Sequence, residues 1–307
     1  MRPELFRLFD FGFPSYFVLL VTGFMFAIAS ATAGARKQGL NPDVVVDLGI
    51  AMLIAGVIGG RILHVIADGY FWDYVHMCTD PSKVNWPLDP AECVSSTYNG
   101  RWDPVQKLCH PSGTDCFAWA KFWAGGLTYY GGFIGASGVA VWILRRDKFP
   151  LGTMADFSGF AIPMGLVFGR LGCLLAGCCF GAECNLPWAL SFPSRSGASE
   201  TQAKAHLIAS KFLPSLHVHP TQVYESLACL AITGFCLLYV YPRKRYAGHV
   251  FVVFATLYAV ARFLLEFLRR DDRGSLLGLS TSQLIGVAIV FVMAFLHKKL
   301  RPVAQQS

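Results

Sequence analysis

Charged side chains are scarce in this sequence. Asp, Glu, Lys and Arg make up 15% of its 307 residues, whereas about 25% is usual for a soluble domain. Hydrophobic residues make up 54%, and the mean hydropathy is +0.47. A single fold facing water cannot bury that much apolar surface. The composition therefore excludes a cytosolic enzyme or a disordered linker and indicates a membrane protein.

Several familiar motifs are absent as well. No Walker, Rossmann or metallohydrolase pattern occurs, so we expect no cofactor. The two halves show no internal repeat, which argues against a transporter. The net charge of +7 need not indicate a nucleic-acid partner, because cytoplasmic loops of membrane proteins are commonly rich in Lys and Arg, and we expect no such partner.

Seven stretches are apolar enough to form transmembrane helices, each of which needs about 20 residues. They cover about 14–33, 44–66, 124–144, 151–170, 220–241, 248–268 and 280–297. We therefore predict an all-α polytopic membrane protein with about seven transmembrane helices, built as a single integral membrane domain over 1–307.

Basic residues predict the orientation of these spans. Clusters follow the first, third, fifth and seventh spans, at Arg36 and Lys37, at Arg145, Arg146 and Lys148, at Arg243, Lys244 and Arg245, and at Lys298, Lys299 and Arg301. This side should be cytoplasmic, which places the amino terminus outside and the carboxyl terminus inside. Arg269, Arg270 and Arg273 oppose the rule. A signal peptide in place of the first span is an alternative, although a core of about 20 residues is long for one.

Two hydrophilic segments, 67–123 and 178–219, are then external. The first contains Cys78, Cys93, Cys109 and Cys116. In an oxidising compartment these four cysteines predict two disulfides, with three pairings open. Four buried, unpaired cysteines are the alternative.

A second cysteine cluster begins near the end of the fourth span. Its members are Cys173, Cys178, Cys179 and Cys184. Their spacing is not C-x-x-C, so we expect no metal site. Structural disulfides or a reactive thiol are the readings that remain.

Several polar groups are predicted at one depth of the membrane, which suggests a binding site. Inserting a charged side chain into the bilayer costs free energy, so charges found there usually serve a function. Arg61, Arg170, Glu225, Arg262 and Glu266 fall near the outer ends of their spans, as do Tyr16 and Tyr130. Guanidinium groups suit phosphate, and the phosphate at that depth is a lipid headgroup. A simple ion pair between Arg262 and Glu266, four residues apart, is the alternative.

Six segments of the chain carry motifs, in the order Tyr16 to Gly23, 59–61 (Gly-Gly-Arg), 123–135, 169–181, 219–225 and 262–269. In the same order they resemble the motifs of the prolipoprotein diacylglyceryl transferase family. The family patterns for the last four segments are W-x-G-G-x-x-x-H-G-G-x-x-G, G-R-x-G-N-F-x-N-G-E-x-x-G, H-P-[ST]-Q-x-Y-E and R-F-x-x-E-F-x-R. The chain departs from the family at several positions of these motifs. Tyr130 replaces a histidine, Cys173 and Ala176 replace asparagines, and Cys178 replaces a glutamate.

The resemblance implies transfer of a diacylglyceryl group from phosphatidylglycerol to the lipobox cysteine thiol of a prolipoprotein, in the bacterial inner membrane. It implies that Arg170 and Arg262 hold the phosphate and that Tyr130 and Glu266 lie near the reacting carbon. The residues expected to bind substrate are Tyr16, Arg61, Gly181, His219, Gln222, Tyr224 and Glu225. The partners implied are membrane lipid and prolipoprotein signal peptides, and the oligomeric state stays open.

Two rival readings remain. One is a divergent paralogue that acts on another acceptor or only binds lipid. The other is a membrane thiol–disulfide protein that works through the 173–184 cysteines, which would require an exposed thiol of low pKa.

Overall fold

The computed structural model describes residues 4–8, 11–86, 88, 90–94, 99–121, 126–269, 275–276 and 278–301. The helices in these ranges are α1 (Ser15–Lys37), α2 (Pro42–Ala67), α3 (Phe71–Thr79), α4 (Pro90–Cys93), α5 (Tyr129–Arg146), α6 (Leu151–Ala176), α7 (Gly197–Lys204), α8 (Thr221–Gly234), α9 (His249–Glu266) and α10 (Thr281–Leu300). This largely helical architecture confirms the predicted fold class.

The described strands form three antiparallel pairs. They are β1 (Glu4–Leu8) with β2 (Phe11–Pro14), β3 (Gly100–Asp103) with β4 (Leu108–Pro111), and β5 (Ser275–Leu276) with β6 (Leu279–Ser280). The chain divides into two compact units, a larger one formed by 1–45 and 149–307 and a smaller one formed by 46–148.

Six helical segments in the described ranges are long and apolar enough to cross a membrane. They are α1, α2, α6, Thr221–Arg243, α9 and α10. Each coincides with a predicted span. The remaining prediction, 124–144, corresponds to α5, which has 18 residues and ends in two arginines. A helix of that length extends about 27 Å, close to the thickness of the hydrocarbon core. Residues 124 and 125 lie outside the described ranges, and the count of seven stays a prediction.

Helix α6 is the central helix of the larger unit. It packs against α1, α8 and α9, and α9 also packs against α10. Glycines bring the backbones close together at these contacts. A Cβ added at Gly23 would lie 2.8 Å from the carbonyl oxygen of Gly165, and one at Gly159 would lie 2.7 Å from Val250. Small residues at such crossings allow tight packing where lipid supplies no hydrophobic driving force.

A buried carboxylate fixes the start of α9. Asp156 of α6 is fully buried. One of its oxygens accepts a hydrogen bond of 2.9 Å from the backbone N–H of Val250, and the other lies 3.1 Å from Nζ of Lys244. The N–H group belongs to the first turn of α9, where a negative charge also complements the helix dipole. Asp156 therefore holds α6 and α9 in register.

The fifth predicted span changes its helical geometry along its length. Helix α8 continues as a π-helix over Phe235–Val240 and ends in a 3-10 turn at Tyr241–Arg243. Together these segments give 23 residues. The predicted span of 220–241 is therefore continuous, although it is not a uniform α-helix.

The segment 178–219 builds a small core of its own. Phe192, Ala198 and Val218 are buried together, and Leu174 and Phe180 pack against them. The only regular helix in the described part of this segment is α7, whose first turn is capped by the side chain of Ser196. The segment is therefore folded against the end of α6.

Two disulfides organise the polar part of the smaller unit. Cys78 is joined to Cys116, and Cys93 to Cys109. The sequence left three pairings open, and the structure has the nested one. Cys93 and Cys109 are fully buried. Residues 87, 89, 95–98, 122 and 123 of this predicted external segment lie outside the described ranges.

Glycines also form the contact between α2 and α5 within the smaller unit. A Cβ on Gly131 would overlap the carbonyl group of Gly59 and lie 2.6 Å from Cβ of Leu63. A Cβ on Gly135 would lie 2.5 Å from the carbonyl oxygen of Ala55. The two backbones thus meet with no side chain between them.

We expect Gly131→Ala to lower the melting temperature of the detergent-solubilised protein, because overpacking costs about 1–3 kcal/mol. Gly138→Ala is the matched control in the same helix, since a Cβ there meets nothing within 4 Å. Alanine is favoured over glycine inside a helix by about 1 kcal/mol. The control should melt at or above the wild-type temperature. Equal melting of both variants would contradict the packing described here.

Candidate active site

A buried ion pair joins α6 to α8. Nη2 of Arg170 lies 2.9 Å from Oε1 of Glu225, whose side chain is only 3% exposed. The hydroxyl of Tyr258 in α9 donates to the same oxygen at 2.9 Å. A buried carboxylate without partners would be strongly destabilising. The two donors therefore stabilise its charge and bring three helices to one point.

A second ion pair lies on α9. Nη2 of Arg262 is 2.7 Å from Oε2 of Glu266, and both side chains are largely buried. Within the described part of the chain, Nη1 of Arg262 is buried and has no hydrogen-bond partner. An unpaired buried donor costs about 1–3 kcal/mol, and more when it is charged. The arginine is therefore ready to donate to an anionic oxygen.

The two ion pairs are connected through one face of α9. Tyr258, Arg262 and Glu266 are spaced four residues apart, and residues at this spacing lie on the same side of a helix. Tyr258 contacts Glu225, and Glu225 contacts Arg170. The order along this face therefore places the unpaired arginine donor one helical turn from the first ion pair.

The turn after α6 is anchored to the first turn of α8. Thr221 donates through Oγ1 to the carbonyl oxygen of Cys179 at 2.8 Å. Gln222 donates through Nε2 to the carbonyl oxygen of Cys178 at 2.7 Å. The side chain of Gln222 is buried, and in the described residues its Oε1 has no partner. One end of this amide thus holds the turn, while the other can accept a hydrogen bond.

Gly181 and His219 form backbone pairs beside this turn. The N–H of Gly181 donates to the carbonyl of His219 at 2.9 Å, and the N–H of His219 donates to the carbonyl of Ala182 at 2.9 Å. A Cβ at Gly181 would lie 2.6 Å from the carbonyl oxygen of Leu268. Only glycine fits there, which gives Gly181 a packing role in addition to its predicted contact with substrate.

Tyr224 is held by two side chains of the same region. Its hydroxyl accepts a hydrogen bond of 2.7 Å from Nε1 of Trp188. Nδ1 of His219 lies at 3.5 Å from the same hydroxyl, at the outer limit of a hydrogen bond. The motif His219 to Glu225 therefore supplies both backbone structure and oriented polar side chains.

Three of the four cysteines between 173 and 184 lie close together, and the fourth lies apart from them. The Sγ atoms of Cys173, Cys178 and Cys179 all lie within 4.8 Å of one another. Cys184 is not part of this group, and its N–H donates to the carbonyl of His217 at 3.0 Å. Hydrogen bonds from the other two thiols, followed by the positive charges of Arg269 and Arg170, lower the pKa of the Cys179 thiol below its ordinary value.

Tyr16 lies against the same end of α6. A Cβ at Gly172 would come within 3.2 Å of Cα and Cδ2 of Tyr16, so the tyrosine in the first turn of α1 packs directly over that glycine. Its side chain remains partly exposed. This position agrees with a predicted substrate contact near Arg170, which stays a prediction.

Arg61 and Tyr130 belong to the smaller unit and are described there alone. Arg61 donates to the carbonyl oxygens of Trp119 at 2.6 Å, Ala118 at 2.7 Å and Gly126 at 3.0 Å. These bonds fasten a loop to α2 and occupy much of the guanidinium. A cavity of about 350 Å³ beside it has an apolar lining that includes Val57 and Ile62. Tyr130 is exposed in the first turn of α5. The predicted roles of both residues stay predictions.

Sequence reasoning missed Tyr258, which contributes to the first ion pair. Its signal was a hydroxyl inside an apolar span, four residues before Arg262. Sequence reasoning also missed Trp188, which orients Tyr224. Residues 123–125 of the third-span motif, together with Arg270 to Arg273 after α9, lie outside the described residues.

The fold and these contacts define a polytopic helical membrane protein that buries paired arginines and glutamates where α6, α8 and α9 meet. The sequence model of the family described as prolipoprotein diacylglyceryl transferase matches residues 3–86 and 106–298, and the chain belongs to this family. Residues 87–105, including Cys93, fall between the two matched ranges.

Curated relatives are similar over nearly the whole chain. The phosphatidylglycerol–prolipoprotein diacylglyceryl transferase of Clostridium tetani is 27% identical over 296 residues, which is 96% of each protein. The corresponding enzyme 2 of Clostridium perfringens is 29% identical over 94% of this chain and 92% of its own length. The Geobacter sulfurreducens enzyme is 28% identical, over 88% and 83% respectively.

We expect Glu225→Leu to be strongly destabilising, because it leaves Arg170 as an uncompensated buried charge, at a cost of about 3–5 kcal/mol. The double variant Arg170→Met with Glu225→Leu should recover much of this loss, since both charges are removed together. Thermal unfolding in detergent measures both effects. Losses that simply add in the double variant would show that the two residues are not coupled.

Proposed function

We propose that this protein transfers a diacylglyceryl group from phosphatidylglycerol to the lipobox cysteine thiol of a prolipoprotein. Membership of the family and the activity that its curated relatives are named for support the proposal. The observation that carries it is Arg262, a buried guanidinium with an unpartnered Nη1 within the described residues. A phosphate oxygen is the ligand that best satisfies such a donor.

The reaction is a displacement at the carbon of the diacylated glycerol that bears the phosphate ester. The thiol sulfur forms a bond to this carbon, the bond from carbon to the phosphate oxygen breaks, and glycerol phosphate leaves with the electron pair. Arg262 and Arg170 stabilise the negative charge that develops on the leaving phosphate. The thiol proton passes to a base within the site.

Glu266 is the better base of the two buried glutamates. Both donors to Glu225, Arg170 and Tyr258, reach the same oxygen and hold that carboxylate in place. Glu266 has one described partner, Arg262, and lies beside the proposed phosphate site. Tyr130 stands where the family has a histidine. A phenol accepts a proton less readily than an imidazole at neutral pH, so we assign Tyr130 to orienting the donor lipid by a hydrogen bond.

We further propose that the protein lies in the bacterial cytoplasmic membrane with its amino terminus outside. In this orientation the carboxyl-terminal ends of α6 and α9 and the start of α8 face outward. Arg170, Arg262, Glu266 and Glu225 lie at these ends. The acceptor, a prolipoprotein signal peptide, would then meet the donor lipid in the outer leaflet. The segments 67–123 and 178–219 would be external.

A second candidate function is transfer to a different acceptor on the same fold. The observation that favours it is the replacement of residues in the family's motifs, with Tyr130 for a histidine and with Cys173 and Cys178 for an asparagine and a glutamate. In this case phosphatidylglycerol would still bind at Arg262.

A transfer assay in liposomes tests the proposal, with phosphatidylglycerol labelled in its acyl chains and a synthetic lipobox-cysteine peptide. We expect Arg262→Ala to lower the rate about 10²–10³-fold, because a charged donor to the leaving group is lost. Arg262→Lys should retain part of the rate, since it keeps the charge without the two-pronged geometry. Arg146→Ala is the matched control, because Arg146 is exposed and pairs with Asp147.

Wild-type rates for Arg262→Ala would contradict this mechanism. Absence of labelled peptide with wild-type protein, together with retained binding of phosphatidylglycerol, would favour the second candidate function. Tyr130→Phe in the same assay measures the part played by the phenol. We expect a loss smaller than that of Arg262→Ala, because Tyr130 positions the donor and carries no charge.

A further inference from the structure

We propose that Cys173, Cys178 and Cys179 form a binding site for a soft, thiolate-preferring metal ion of the Cu(I) class. Their three Sγ atoms lie within 4.8 Å of one another, and each can contribute one ligand. Neither the proposed transfer nor the family's activity uses these thiols. The inference rests on the cysteine geometry and is independent of the proposed function.

The end of α6 brings Cys173 and Cys178 together. The N–H of Cys178 donates to the carbonyl of Cys173 at 3.1 Å, and the N–H of Gly177 donates to the carbonyl of Leu174 at 3.3 Å. Gly177 adopts a left-handed conformation, with φ of 74°. This is a Schellman ending, in which the residue after the glycine characteristically contacts the residue five positions before it. The helix ending thus brings the thiols of Cys173 and Cys178 close together, although their spacing does not resemble C-x-x-C.

The third thiol is positioned by the turn itself. Cys179 also has a left-handed backbone, with φ of 63°, which is unfavourable for a residue with a side chain. The hydrogen bonds from Thr221 and Gln222 to the carbonyls of Cys179 and Cys178 hold it there. The three sulfurs therefore sit on a fixed backbone and do not depend on a flexible loop.

The ligand set selects the kind of metal. In the part of the chain that the structure describes, the group contains three cysteines and no His, Asp or Glu. Thiolates suit Cu(I), zinc and iron–sulfur clusters, but structural zinc and cysteine-bound clusters take four protein ligands, so a group of three favours Cu(I). Metal–sulfur bonds of about 2.3 Å in a trigonal plane separate the sulfurs by about 4 Å. The three Sγ atoms already lie within 4.8 Å of one another, so the side chains need to move little to bind the metal.

Positive charge nearby favours the bound state. Three thiolates around Cu(I) carry a net negative charge, and binding releases the thiol protons to solvent. Arg269 and Arg170 both act electrostatically on the sulfur of Cys179. Their guanidinium groups offset the negative charge that a sulfur-only site concentrates at the end of α6.

Titration of the reduced, detergent-solubilised protein with Cu(I), in competition with a chromogenic Cu(I) chelator and without oxygen, tests the site. We expect one equivalent to bind per chain. Substitution of any of the three cysteines by serine should weaken binding by more than about tenfold, since loss of a supporting group alone costs about 10–100-fold. Cys184→Ser is the matched control and should bind as wild type does, because Cys184 lies outside the group.

A second measurement requires no variant and is therefore unaffected by misfolding. Cu(I) should protect Cys173, Cys178 and Cys179 of the wild-type protein from maleimide, as mapped by mass spectrometry, and leave Cys184 reactive. Equal labelling with and without Cu(I) would overturn the proposal. A disulfide between two of the three, trapped in membranes whose thiols were blocked before lysis, would also overturn it. Stoichiometric Zn(II) binding without Cu(I) binding would rule out the Cu(I) class.

Discussion

The ion pair between Arg170 and Glu225 is the constraint on which the larger unit depends. It joins α6 to α8, and the hydroxyl of Tyr258 adds α9 through the same carboxylate oxygen. Three helices therefore meet at a charge that none of them could bury alone. Because Gly159 brings the backbone of α6 close to that of α9, the position of Tyr258 relative to the pair is restricted as well.

The two ion pairs differ in how fully their groups are hydrogen-bonded. Glu225 has two donors on one oxygen, while Glu266 has Arg262 as its described partner and leaves Nη1 of that arginine unsatisfied within the described residues. The first pair thus joins the helices in addition to the role proposed for Arg170 at the phosphate, whereas the second keeps an unused donor.

Hydropathy predicted the spans well because lipid imposes the same requirement on every helix, whatever its neighbours. The start of α5 was less accurate, since glycines and tyrosines at its beginning have no strong apolar signal. Arg262 and Glu266 were recognised because their spacing is local. The position of Tyr258 on the face of Arg262 was readable from its spacing, but its contact with Glu225, 33 residues away, could not be read from a local pattern.

The cysteines likewise show that contacts between residues near in sequence are easier to predict than contacts between distant residues. The pairing of Cys78 with Cys116 depends on how a whole segment folds, so the sequence left it open. The approach of Cys173 and Cys178 was readable in principle, because a glycine after a helix end sets that contact locally. It was missed because the spacing was compared with metal-binding motifs alone and not with helix endings.

The nested disulfides limit which segments of the smaller unit can be removed independently. Residues 87–105 fall between the ranges that match the family, and they contain Cys93. Its partner Cys109 lies just beyond them, inside the ring closed by Cys78 and Cys116. A disulfide therefore ties Cys93, in the unmatched segment, to a cysteine in a matched range. Removal of residues 87–105 alone would leave Cys109 as an unpaired thiol inside the ring that Cys78 and Cys116 close.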